Sequence, residues 1–432
     1  MSVVGVSDTA VPLPLGDGLA AAEGLAYPGP GERVVTSSGR VISARTAWRA
    51  ANSVPAGTRA ARRSRVRGYT AWCAERGRVP TDPGTLPDYL THLADLHHPT
   101  STLDAHLGTL STWLELARHP LDGEDRRLAH AVVAHRAAAE ARGGTEAAGA
   151  LQATPVTPQD LAAMVATCDR TTVRGLRDAY ALLLDWYMAG RCSEPAGLDR
   201  VHVVELTARY LDPVAGCQVV RPALEVRVPT DKVNPHGRLD HRVRILAQDT
   251  PELCPVTAHR EWTRVLDEQR AGPGPLLRRV DRHGRVGGAG GRRPAGRPTA
   301  DAERTLGISG RTVRNIIAAA AAGARLVEPW TPEQRRVLST AAEAAALAAL
   351  PAADRDEYRS RLRVERRTLR RTRPRYTGHS MRRGLIREMQ QRRVLRATIE
   401  QHARYRPGSR ALDRYLADLP PWADNPTALV RL

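Results

Sequence analysis

Apolar positions recur at helical spacing from about residue 56 to 142, in Val66–Cys73, Leu86–Leu93, Leu103–Leu116 and Leu128–Ala139. Short Gly, Pro and Asp breaks separate these stretches, which predicts a small helical bundle spanning 53–145. Residues 1–52 are rich in Gly, Pro, Ala and Ser without a sustained period and read as a flexible tail. A Gly/Ala-rich linker is expected over 146–156. Thr157-Pro-Gln-Asp then supplies a helix N-cap with Pro at the first helical position. A strongly apolar helix follows from Leu176 to Met188 and closes at Gly190.

The period changes to two in Val201–Leu206, Ala223–Val228 and Arg242–Ile245. The last two runs flank a turn-rich stretch and predict an antiparallel hairpin. Helical patterns return at Pro255–Gln269 and Thr312–Ala322, and from Glu333 onward the chain reads as mostly helical. The Gly/Arg-rich Arg282–Thr299 reads as a mobile loop, and there is no internal repeat. The fold class expected is mainly α with a small antiparallel β-sheet (α+β), in two domains.

Charge narrows the partner. The 432 residues carry a net charge of +19, which favours a polyanion. No apolar run approaches transmembrane length, so nucleic acid is favoured over a membrane. A basic patch followed by an apolar core is missing from the N-terminus, so no signal peptide is expected. Five scattered cysteines without CxxC or Cys/His zinc spacing suggest a reducing cytoplasm and no structural metal. His92, His97 and His98 are expected on a solvated face.

Of the 65 basic residues only Lys232 is lysine, and phenylalanine is absent. A coding bias that favours arginine leaves a lysine where a dissociable proton is needed, because a guanidinium does not give one up. Lys232 lies in Val-Pro-Thr-Asp-Lys-Val-Asn-Pro-His-Gly, between the two runs of the expected hairpin. Three further patches stand in order around it. Gly190-Arg191-Cys-Ser-Glu194 ends the apolar helix. His379-Ser-Met-Arg382 places two side chains three residues apart on a helix face. His402-Ala-Arg-Tyr405 precedes Asp413-Arg-Tyr415.

This ordered set resembles the tyrosine recombinases, the phage-integrase family, over about 56–420. Leu253-Cys-Pro-Val-Thr-Ala-His-Arg-Glu-Trp resembles the helix that follows the family's sheet. The resemblance implies a helical core-binding domain and a catalytic domain over 157–420, with an added helical insertion at about 327–375 and a tail over 421–432. It implies DNA strand breakage through a 3′-phosphotyrosyl link, which stores the bond energy without ATP, metal or other cofactor. Tyr415 would be the nucleophile, with Arg191 and Arg382 on the non-bridging oxygens. Lys232 would protonate the leaving 5′ oxygen, His379 would assist, and Glu194 would orient Arg191. Either Tyr405 or His402 would fill the family's phosphate-contacting position before the nucleophile, and Tyr405 is itself a second candidate nucleophile.

The implied partners are double-stranded DNA and a homo-tetramer assembled on it, with room for an accessory directionality factor. The implied setting is the bacterial cytoplasm, in association with the nucleoid, as the integrase of a mobile element. Nine arginines between Arg359 and Arg375 suggest backbone contacts through Arg366, Arg367, Arg370, Arg371, Arg373 and Arg375. Two alternatives stay open. Leu306-Gly-Ile-Ser-Gly-Arg-Thr-Val-Arg-Asn-Ile-Ile resembles the turn and recognition helix of a helix-turn-helix regulator. A topoisomerase-like or telomere-resolving enzyme would use the same residues.

Overall fold

The computed structural model describes residues 31, 33–35, 41–52, 54, 56–143, 151–212, 216–230, 234, 239–291 and 306–416. The chain divides into two compact units, Met1–Leu151 with Trp330–Thr372 and Gln152–Pro329 with Arg373–Leu432. The architecture is mainly α with a small antiparallel sheet.

In the first unit, β1 (Arg33–Val35) pairs antiparallel with β2 (Val41–Ser43), and α1 (Ala44–Asn52) follows directly. Local structure thus begins within the stretch expected as an irregular tail. The bundle comprises α2 (Ala56–Glu75), α3 (Thr85–Asp95), α4 (Thr100–Leu116) and α5 (Gly123–Arg142). Its core centres on Tyr69, whose ring lies 5.1 Å from that of Tyr89 and 6.1 Å from Trp113, edge to face with the latter. Asp122 caps α5 by accepting from the Asp125 N–H at 2.7 Å.

The stretch expected as an insertion contributes α11 (Pro332–Leu338), α12 (Thr340–Ala349) and α13 (Arg355–Arg371) to this same unit. The contacts of α13 with the bundle are polar. Asp356 pairs with Arg76, Ser360 donates to Asp95 O at 3.1 Å, and Arg367 donates to His97 O at 2.8 Å. His98, expected on a solvated face, is half-buried 3.1 Å from Arg363. Burial and the neighbouring arginine charges push it down to about 3, so it is neutral.

The second unit opens with α6 (Pro158–Ala166), closed by a capping box between Thr157 and Asp160. Then come α7 (Val173–Tyr187), the short α8 (Ser193–Ala196) and a sheet of β3 (Val203–Leu211), β4 (Gln218–Val228) and β5 (His241–Leu246), in that spatial order and antiparallel throughout. Leu224, Val226, Val228, Val243 and Ile245 join the core that surrounds α7 and α9 (Pro255–Glu268). The connection from β4 to β5 contains Lys232, which lies outside the described residues.

Next is α10 (Gly310–Gly323), N-capped by Ser309 and buried along Val313, Ile316, Ile317, Ala320 and Ala321. Before it, Ile308 donates to Leu277 O at 3.0 Å, so the residues leading into this helix pair in extended form with another segment. Part of the expected mobile loop is a tight turn, in which Asp281 Oδ1 accepts from the His283 and Arg285 N–H groups at 2.8 and 2.9 Å; 292–305 lie outside the described residues. The unit ends with α14 (Ser380–Gln391), α15 (Arg396–His402) and α16 (Arg410–Leu416). Among the described residues, no helix is long and apolar enough to cross a membrane.

Candidate functional site

The site forms where α7 stops. Ala189 takes a left-handed φ of 46°, which ends the helix and turns its last carbonyls outward. Three of these carbonyls receive side chains from the C-terminal stretch. Tyr187 O accepts from His402 Nε2 at 2.8 Å, Met188 O from Arg404 Nη1 at 2.9 Å, and Ala189 O from Arg382 Nη1 at 2.6 Å. Donors placed there also meet the negative end of the helix dipole. The α7 terminus thereby gathers residues more than 190 positions away in sequence.

Arg191 follows the turn. Its Nη1 donates to Glu194 Oε1 at 2.7 Å, while its backbone N–H donates to Glu194 Oε2 at 3.0 Å. The Arg191 side chain keeps 17% of its exposure, whereas that of Glu194 keeps 2%. Burial alone would raise the Glu194 carboxyl. The charges of Arg404, Arg191 and Arg382 outweigh it and hold the group below the ordinary carboxylate range.

Arg382, on α14, is 1% exposed. Besides the Ala189 carbonyl, its guanidinium donates to Ala403 O through Nη2 and to the Tyr405 hydroxyl through Nε at 3.1 Å. The Tyr405 ring covers it, 4.4 Å from guanidinium carbon to ring centre. Burial lowers the Arg382 pKa, but guanidinium stays a cation at neutral pH.

On α16, the Tyr415 ring stands beside that of Tyr405, with ring centres 6.2 Å apart. Arg383 lies 5.7 Å from the Tyr415 ring centre. Burial, then Tyr405, raises the Tyr415 phenol above its ordinary value against the opposing pull of Arg382 and Arg383, so it rests protonated.

Five expected site residues therefore meet: Arg191, Glu194, Arg382, Tyr405 and Tyr415. His402 also reaches the α7 terminus, but its Nε2 is committed to the Tyr187 carbonyl. Burial lowers its pKa and keeps the ring neutral. Of the two residues that the sequence left in competition, Tyr405 is the one bonded to Arg382. His379 is the exposed N-cap of α14, outside the helix proper, while Arg382 is buried within it. Adjacent Gly378 packs so tightly that a Cβ there would stand 2.5 Å from Cys192 Sγ and 2.9 Å from Arg314 Cγ. That close approach brings the His379 turn against the Arg191–Cys192 turn.

The arginines expected on DNA separate into two groups. Arg366 donates to Val337 O at 2.6 Å, to Ser339 O at 2.8 Å and to Glu343, and so ties α13 to its neighbours. Arg367 is bonded to His97 O, and Arg373 to Glu328 O. The Arg375 backbone exchanges bonds with Thr154. Arg370 and Arg371 are exposed.

Sequence reasoning missed Arg404 and Asp185. Arg404 is one arginine among many, and nothing in its local context marks it. Asp185 did carry a signal: it is a carboxylate inside the apolar run Ala181-Leu-Leu-Leu-Asp-Trp, where a charge is rarely buried without a partner. Comparison with known protein families and with curated proteins finds no match for the chain.

Proposed function

We propose that this chain is a site-specific DNA recombinase of the tyrosine type, acting on double-stranded DNA as a tetramer in the bacterial cytoplasm. The observation that carries the reading is the packed series Tyr415, Tyr405 and Arg382, with the two rings side by side and Arg382 bonded to the Tyr405 hydroxyl, assembled beside the Arg191–Glu194 pair at the end of one buried helix. Tyrosine and arginine in that arrangement suit attack on a phosphodiester. The phenol supplies the nucleophile, and planar cations bind the oxygens on which charge accumulates.

The Tyr415 oxygen bonds to phosphorus as its proton leaves, and the bond from phosphorus to the 5′ oxygen breaks. Lys232 gives that oxygen a proton, yielding a free 5′-hydroxyl and a 3′-phosphotyrosyl link. Attack by a 5′-hydroxyl of another strand reverses the step and rejoins the DNA. Because the Tyr415 phenol rests protonated, its proton must pass to an acceptor as the new bond forms, and exposed His379 beside the Arg191 turn is suited to that. Arg191 is only partly engaged by Glu194 and partly exposed, so it is the cation most ready to meet a phosphate.

Replacing Tyr415 with Phe tests the reading against a non-catalytic DNA-binding regulator. A recombinase loses covalent attachment to DNA and keeps its affinity, read by gel electrophoresis under denaturing and native conditions. A regulator forms no adduct in either version and binds equally well. Relaxation of supercoiled plasmid without exchange between sites would indicate the topoisomerase variant of the same chemistry.

A further inference from the structure

Arg404 is a buried charge beside the site that the chemistry above does not use. Its side chain is 1% exposed, and its Nη2 meets Glu194 Oε2 at 2.5 Å. Its Nη1 donates to Met188 O at 2.9 Å and to His402 O at 3.2 Å. The backbone at Arg404 has a φ of 56°, in the left-handed region that is unfavourable for a non-glycine residue. Arg404 therefore carries both backbone strain and the desolvation of a charge.

The bonds of Glu194 show what this arrangement holds. Oε1 takes the Arg191 guanidinium, while Oε2 takes Arg404 and the Arg191 backbone N–H. One carboxylate thus spans two arginines, with one of them fixed to the α7 terminus. The charged groups acting on Glu194 are Arg404, Arg191 and Arg382, and Asp185 is its buried acidic neighbour. Arg404 is the strongest of the cations that keep Glu194 ionised against burial.

We propose that Arg404 is a positioning residue for strand cleavage, which clamps Glu194 to the end of α7 and through it aims Arg191 at the scissile phosphate. This rests on the recombinase reading. A lysine in its place keeps the charge but lacks the planar fork that reaches Glu194 and the carbonyls together. Glycine suits the left-handed backbone and relieves its strain, so Arg404→Gly removes the clamp with little backbone penalty.

The test uses the full chain and nicked duplex oligonucleotides carrying the DNA that flanks its gene. Rates of covalent adduct formation are compared for the wild type, Arg404→Gly, Arg404→Lys, Glu194→Gln and Arg404→Gly/Glu194→Gln. The expected loss in Arg404→Gly is about 10–100-fold in rate, the scale of a small misplacement of a catalytic group, with DNA affinity changed less than about threefold. Arg404→Lys recovers part of the rate.

The pH profile separates positioning from mere packing. Without Arg404, burial raises Glu194, so Arg404→Gly loses rate more steeply than the wild type as pH falls from 7 toward 5, since loss of the proton acceptor on the way down is common to both. The double variant is no slower than Glu194→Gln alone, since the clamp acts through Glu194. An Arg404→Gly rate and pH profile equal to the wild type, or an equal further loss in the Glu194→Gln background, overturns the positioning role alone. A wild type that binds this DNA and forms no adduct overturns the recombinase reading, and this inference with it. Should Arg404→Gly fail to fold, Arg404→Lys with an unchanged melting temperature carries the same comparison.

Discussion

Asp185 shows how far a single side chain departs from its solution behaviour. It is fully buried, its Oδ2 accepts from Cys192 Sγ at 3.8 Å, and its Oδ1 has no hydrogen-bond partner among the described residues. Burial, with the Glu194 charge adding to it, pushes the carboxyl up to about 8 against the opposing pull of the Cys192 bond, Arg404 and Arg382. The folded state holds a proton that the unfolded chain releases near pH 4, so this group costs ~1.4 kcal/mol per pH unit as pH rises from about 4 to 8. Its contribution is most favourable below pH 4 and is lost on passing through the folded value. Asp185→Asn should therefore melt close to the wild type at pH 4 and at progressively higher temperature than the wild type up to pH 8, by differential scanning fluorimetry across that range. A constant gap would contradict the assignment. The candidate residues were legible where a motif orders them, as with Arg191, Glu194, Arg382 and Tyr415. That Tyr405 would meet Arg382 while His402 is taken by the Tyr187 carbonyl was not legible, because both contacts join segments far apart in sequence.

At the scale of elements, α14 carries Arg382 to the α7 terminus by pressing against the chain before α6. A Cβ on Gly384 would overlap Val156 O, which already accepts from Trp186 Nε1 at 3.1 Å. Gly384→Ala should cost about 1–3 kcal/mol, the usual range for overpacking a close contact, and should displace α14 enough to slow cleavage. Urea denaturation followed by tryptophan fluorescence reads the first effect, and no change in midpoint would contradict the packing described. The bundle helices and α7 were legible because each buries one face or nearly all of its surface. The antiparallel pairing of β4 with β5 was legible from the runs Ala223–Val228 and Arg242–Ile245, whereas the outer ends of β3 and β4 were not. β3 and β4 remain paired out to Leu211 and Gln218, but in Ala208–Leu211 and Gln218–Pro222 the alternation runs between exposed and half-buried positions and no residue reaches the core. The three-residue strands β1 and β2 are too short to carry any period.

For the molecule as a whole, hydrophobic pattern alone did not reveal that Trp330–Thr372 belongs with the N-terminal bundle. Its longest helix, α13, buries only Leu362 and holds to the bundle through ion pairs and hydrogen bonds, which leave no apolar stripe to read. On the recombinase reading proposed above, the +19 charge makes affinity for DNA fall with salt. Replacing exposed Arg370 and Arg371 together with Gln should lower the slope of log K against log salt by about 2, whereas Arg366→Gln should lower stability instead, because Arg366 is spent on Val337, Ser339 and Glu343. Fluorescence anisotropy over a salt series distinguishes the two. The phosphotyrosyl chemistry is tested most directly by trapping the wild-type chain on nicked duplex DNA from the flanks of its gene and mapping the adduct by peptide mass spectrometry. A 3′-phosphate linked to Tyr415, and lost in Tyr415→Phe, is the predicted result; an adduct on Tyr405, or persistence of the adduct in Tyr415→Phe, would contradict it.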